Sequence, residues 1–135
     1  MKVLSIKEPF ATLISNKKKS IETRSWKTNY RGEIYIHASK LPVSKERLNN
    51  KELMEILGDD ELHFSKIICK CNLVDCIYMD EEFLENIKKD KQEYICGHYE
   101  LGRYAWVLED VEILKEPIIA KGKLGIWNYE VNNND

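Results

Sequence analysis

Three runs of this chain carry the residue pattern of β-strands, at 32–38, 66–79 and 103–114, and they are not regularly separated by helices. Parallel, doubly wound sheets need a helical crossover between successive strands. The spacing therefore points to an α+β chain: a mostly antiparallel sheet or barrel with two or three flanking helices. In the 32–38 run Ile34, Ile36 and Ala38 share one face, and Glu33, Tyr35 and His37 share the other. Residues 66–79 make the longest β candidate. In the third run Tyr104, Trp106 and Leu108 alternate with Ala105, Val107 and Glu109. Pro117 is expected to end that run, with a last strand near 118–124 leading to Gly125-Ile126-Trp127. Lys19 to Arg24 reads as a further strand, with Ser20, Glu22 and Arg24 on one face and Lys19, Ile21 and Thr23 on the other. Three helices are expected between the strands. Pro9 opens one that carries Phe10, Leu13 and Ile14 and ends near Asn16-Lys17. Ser44 caps one that runs towards Leu57, with Gly58 as its stop. Asp80 caps a short one that carries Phe83, Leu84 and Ile87.

At 135 residues the chain is expected to form one domain, residues 1–130, followed by a frayed tail, residues 131–135. Apolar residues at 43% and charged residues at 33% exclude a disordered composition. No apolar run approaches the ~20 residues needed to span a bilayer. The first six residues lack the apolar core and small-residue cleavage site of a signal peptide, so a cytoplasmic location is expected. The four cysteines, Cys69, Cys71, Cys76 and Cys96, fit a reducing compartment as buried structural thiols. A single C-x-C pair is too little for a zinc site, and neither metal nor cofactor is expected.

Chemistry-bearing residues crowd into residues 16–40. Between Asn16 and Arg31 there are six Lys or Arg residues and one carboxylate, Glu22, in a chain whose formal charge is −2. A local basic patch attracts anions even when the whole molecule does not. Lys19, Glu22 and Arg24 are candidates for a ligand-facing ion-pair network, and Arg31 for a bidentate phosphate contact. Trp26 and Trp127 are stacking candidates, whereas Trp106, in its alternating strand, reads as core. His37 is the one histidine inside this region and the natural acid–base group if chemistry occurs. Ser39 and Lys40 follow it at a strand end, where binding groups often sit.

The runs Pro9-Phe10-Ala11, Lys19-x-x-Glu22-x-Arg24-Ser25-Trp26, Tyr30-Arg31-Gly32 and Ile36-His37-Ala38-Ser39-Lys40 resemble the ASCH domain. Gly102-Arg103-Tyr104-Ala105-Trp106 and Pro117-Ile118-x-Ala120-Lys121-Gly122-x-Leu124-Gly125-Ile126-Trp127 resemble its closing pattern. The resemblance implies a β-barrel similar to the PUA fold, with a cleft that recognises RNA or a nucleotide. One position departs from it: Lys17 stands where the family usually has Gly, which requires either a costly backbone conformation or a different turn. Similar proteins that hydrolyse acetylated cytidine have a Thr at the position of Glu22, so the resemblance does not carry that nucleophile to this chain.

Two functions from different classes follow. The first is a binding module in which Lys19, Glu22, Arg24, Trp26, Arg31, Ser39, Lys40 and Trp127 hold a base and phosphate of RNA or a nucleotide. The alternative is a small hydrolase acting on a modified nucleoside or on RNA, with Lys19, Glu22 and His37 as its reactive set. The negative net charge and a pI near 6.0 argue against long duplex DNA and favour a pocket for one or a few nucleotides. No membrane partner is expected.

Overall fold

A computed structural model describes residues 1–131. Residues 132–135 of the expected frayed tail lie outside the described residues. The elements run β1 (Lys2–Ile6), α1 (Phe10–Ser15), β2 (Ile21–Arg24), β3 (Gly32–Ala38), α2 (Lys45–Leu48), α3 (Lys51–Leu57), β4 (Lys66–Tyr78), α4 (Glu81–Ile87), α5 (Lys91–Ile95), β5 (Tyr104–Ile119) and β6 (Ile126–Asn128). The six strands form one sheet in the order β2-β5-β4-β3-β1-β6. Every neighbouring pair is antiparallel except β1 with β3. The sheet curls into a half-barrel, because among the described residues β2 and β6 do not pair and the ends stay open. No helix among the described residues is long and apolar enough to cross a membrane.

The alternation in β3 places Ile34, Ile36 and Ala38 in the central core, against Leu4, Ile6, Ile14, Ile68 and Trp106. Fully burying side chains of this size stabilises by about 1.5–3 kcal/mol each. A smaller cluster of Leu13, Leu53, Leu57 and Cys96 joins α1 to α3 and α5. A third, on the other face of the sheet, packs Val3, Ile67 and Trp127. Cys69, Cys71 and Cys96 are buried free thiols, and Cys76 is half-buried.

Several elements differ from expectation. Five helices form where two or three were expected. The helix from Ser44 to Leu57 is two helices, because the Asn50 side chain accepts from the Leu53 N–H at 3.1 Å and caps a new start. The strand over Lys2–Ile6 and the short helix over Lys91–Ile95 are additional. β5 runs through Pro117 to Ile119, since the β4–β5 ladder is irregular between Ile67 and Cys69, where β5 passes from Ile113 to Ile118. A proline inside that irregularity removes no ladder hydrogen bond. The closing strand is therefore Ile126–Asn128, and residues 121–125 form a loop.

The departure at Lys17 takes the costly route: its φ is +64°. The Lys18 N–H donates to the Leu13 carbonyl at 2.9 Å and the Lys17 N–H to the Ile14 carbonyl at 3.0 Å, which ends α1 in a Schellman turn. A left-handed L-residue costs roughly 1–2 kcal/mol, and the extra chain entropy of Gly offsets about 0.5–1 kcal/mol of the relief. The Lys17 side chain is exposed, so Lys17→Gly loses no packing. This variant is expected to raise the Tm by about 2–4 °C in a circular-dichroism melt. An unchanged or lower Tm would count against the turn as described.

Candidate ligand-binding cleft

The turn after α1 supplies the first group of the floor. The Lys19 N–H donates to the Leu13 carbonyl at 3.1 Å, so Lys19 belongs to the turn and precedes β2. Strand alternation does not govern it, and its side chain reaches the same side as Glu22, contrary to the expected split of faces. Lys19 is 1% exposed. Its ammonium donates to the Cys96 carbonyl, lies 4.0 Å from Glu22 Oε1 and sits 5.3 Å over the Phe10 ring. Burial lowers the Lys19 pKa, and the carboxylates of Glu22 and Glu93 oppose that shift. Glu93 also orders the entry to β2, because its carboxylate accepts from the Ser20 N–H at 2.8 Å and the Ser20 hydroxyl at 2.6 Å.

Glu22 is 7% exposed and accepts from the Thr23 N–H at 3.2 Å. Its other oxygen pairs with Arg24 Nη2 at 3.1 Å. The same Nη2 donates to the Ser5 carbonyl of β1 at 2.7 Å, while Arg24 Nε is buried with no partner among the described residues. The floor is thus one carboxylate between two cations, with one guanidinium N–H unspent.

His37 stands opposite Ser5 in the β1–β3 ladder. Its Nε2 lies 2.7 Å from the Ala120 carbonyl and its Nδ1 lies 2.9 Å from Ser5 Oγ. A carbonyl only accepts, so Nε2 carries the proton. Ser5 Oγ accepts from Trp127 Nε1 at 3.0 Å, and the arrangement that satisfies every group has the hydroxyl donating to Nδ1. Gly122 packs onto this chain so closely that a Cβ would lie 2.8 Å from Ser5 Oγ and 2.9 Å from the His37 ring. Only glycine permits that approach.

These groups open into a cleft of about 1010 Å³. Eight of its lining residues are Lys or Arg and two, Glu22 and Glu46, are carboxylates. Lys19, Glu22, Arg24, Trp26, His37, Ser39 and Lys40 all line it. Trp26 is 38% exposed and meets the buried Trp106 edge-on, with ring centroids 4.7 Å apart. The remaining two candidates lie elsewhere. Arg31 donates to the carbonyls of Thr28 and Tyr30 and stands 3.8 Å from Asp75, outside the cleft. Trp127 is buried behind the lining, edge-on to His37 at 5.7 Å. Of the basic run in the sequence, Lys18 spends its charge on the Ile56 and Leu57 carbonyls and on Asp60.

The cleft's other cations were not found from the sequence. Lys7, Arg47, Arg103 and the pair Lys121 and Lys123 come from four separate segments of the chain. Arg103 and Lys121 do fall inside the motifs Gly102-Arg103-Tyr104 and Ala120-Lys121-Gly122, a signal that could have singled them out.

The family model for the ASCH domain matches residues 4–118 of the chain. No curated protein matches it.

The Lys19 shift has a stability signature. An amine with a folded pKa below 10.5 is more readily protonated in the unfolded chain. Its penalty is complete below the folded pKa and is relieved as pH rises towards 10.5. Urea unfolding of the wild type and of Lys19→Met at pH 8, 9 and 10 should show the stability difference moving in favour of the wild type as pH rises. A pH-independent difference would overturn the assignment. The thiol of Cys71, which burial pushes up to about 12, titrates in both proteins and cancels, and Cys96, whose thiol feels the Lys19 charge, is replaced by Ala in both.

Proposed function

Because the chain belongs to the ASCH domain family, whose members are generally RNA-associated and PUA-like, we propose that it binds RNA through this cleft by taking up an unpaired base together with its phosphate. The observation that carries the reading is the charge distribution: eight cations converge on one cleft of a chain whose net charge is −2. Oxyanions are drawn to such a concentration, and rim cations hold phosphate without reading sequence. The floor suits the edge of a base. Glu22 accepts, and Lys19 and the partly exposed Arg24 guanidinium donate, a mixture that a phosphate does not need and a nucleobase edge does. Trp26, edge-on to Trp106 and open to solvent on one side, offers a face for stacking. His37 enters this reading as a fixed post, since both its ring nitrogens are engaged.

Titration of Trp fluorescence with short single-stranded RNA tests the proposal. Saturable binding that weakens with salt is expected. Lys121→Ala should lower affinity several-fold and flatten the salt slope by about 0.7. Arg31→Ala, outside the cleft, should stay within about twofold. An Arg31→Ala loss larger than that of Lys121→Ala would move the binding surface to the wrong side of the molecule.

One observation favours a second reading, a hydrolase acting on RNA or on an acylated nucleoside. Lys19 sits at the floor beside a carboxylate with its pKa lowered by burial, and amines displaced in this way often serve as bases or nucleophiles. Turnover of RNA or of N4-acetylcytidine by the wild type, lost in Lys19→Met with binding retained, would establish it. Binding without turnover leaves the module reading.

A further inference from the structure

The cleft is too large for one base, and its rim is not only basic. Single-ligand pockets commonly enclose about 300–1,000 Å³, and this cleft lies at the top of that range. Its two outer walls are the segments 39–50 and 121–125. Each wall carries the same dipeptide, a lysine followed by an exposed leucine: Lys40-Leu41 on one and Lys123-Leu124 on the other. Leu41 is 49% exposed and Leu124 is 99% exposed. A leucine left wholly in water contributes nothing to the folded core. Leu124, wholly in water, and Leu41, half in water, face one cleft from segments some eighty positions apart in sequence and form an apolar rim within a field of cations.

Resting on the base-binding reading above, we infer that the cleft takes a single-stranded RNA segment of about two or three nucleotides, with one base on the floor and its neighbours held by the two Lys-Leu walls. Each wall matches the two parts of a nucleotide. The leucine covers the flat apolar face of a base and the lysine neutralises the adjoining phosphate. Base faces are available for such contact only in unstacked, unpaired RNA, so a duplex does not satisfy the rim. The loop is pinned at Gly122 against Ser5 and His37, and its tip, Lys123-Leu124, has room to adjust to a chain of variable path. Among the described residues its backbone from 121 to 125 forms no hydrogen bond, although it is tied down at either end. Ala120 bonds to Ser65 and His37 on one side, and Ile126 pairs with Leu4 on the other. At its far end Gly125 takes φ +65° with open space around it.

The test compares nucleoside 5′-monophosphates with 5′-phosphorylated random-sequence RNAs of two, three and six nucleotides by isothermal titration calorimetry. Affinity should rise about tenfold from the mononucleotide to the trinucleotide and level off by the hexanucleotide, and the salt slope should steepen by up to about 1.4 over the same step. The double variant Leu41→Ser/Leu124→Ser, whose changes lie at the surface, should cut the ratio of trinucleotide to mononucleotide affinity to about twofold. Equal affinity for mononucleotide and trinucleotide overturns the inference while leaving the base-binding reading intact. So does a trinucleotide gain that survives the double variant. A gain that continues to grow beyond the hexanucleotide replaces the short segment with a long groove and also overturns it. Absence of binding by every probe, the mononucleotides included, overturns the base-binding reading itself.

Discussion

A six-stranded sheet that curls without closing leaves its two ends facing each other across a gap, and among the described residues no ladder of backbone hydrogen bonds spans that gap. In this chain the gap is tied at Ser5. Its carbonyl accepts from Arg24, on edge strand β2, at 2.7 Å. Its hydroxyl links Trp127 of the other edge strand, β6, to His37 of β3, and His37 passes the chain on to the Ala120 carbonyl. Gly122 rests against the same hydroxyl. Four strands and one loop therefore meet at a single small residue, and a larger side chain at position 5 would displace the loop that Gly122 brings in. The cleft is the opening of the half-barrel, and the same bonds that set its width also orient Arg24 within it.

The floor of that cleft is costly. Lys19 and Glu22 are almost completely withdrawn from water, and the effective penalty for such ions is several kcal/mol each before pairing. The pairing is incomplete as a matter of geometry: Lys19 stands 4.0 Å from Glu22, longer than a hydrogen bond, and a guanidinium N–H is left over. Well-packed apolar residues would serve stability as well or better. What the polar floor supplies is a donor–acceptor pattern held rigid by its own neighbours. Glu93 and the backbone of Cys96 fix Lys19 and the start of β2, and Ser5 fixes Arg24. A floor whose dipoles are already oriented does not spend binding energy on ordering them.

Much of the sheet was legible because it depends on local alternation. In β3 the apolar face Ile34-Ile36-Ala38 is buried as its period-2 pattern requires. What was not legible depends on partners distant in sequence. Pro117 reads as a stop because its local effect is to remove a donor, yet the ladder is irregular where it sits, so the strand continues. Lys19 reads as belonging to the opposite strand face from Glu22, because alternation presumes a strand that a left-handed Lys17 has not yet begun. The basic run in the sequence misled in the same way. Proximity along the chain placed Lys18 and Arg31 with Lys19, but the fold turns them onto the end of α3 and onto Asp75. Their places in the cleft are taken by Lys7, Arg47, Arg103 and the pair Lys121 and Lys123, and only the topology brings those four segments together.

Placing the cations in the opening leaves the rest of the molecule acidic, and this shapes what can approach. The outer edge of β5 beyond Val107 has no β2 partner, and it carries Glu109, Asp110, Glu112 and Glu116 beside Pro117, the composition that keeps an open edge from pairing with another strand. The first turn of α4 adds Glu81 and Glu82. At physiological ionic strength charges are screened over ~8 Å. Within that range an anion placed in the cleft meets mainly the cations around it. Eight cations in one cleft give a chain of net charge −2 a local concentration of positive charge that its total does not show.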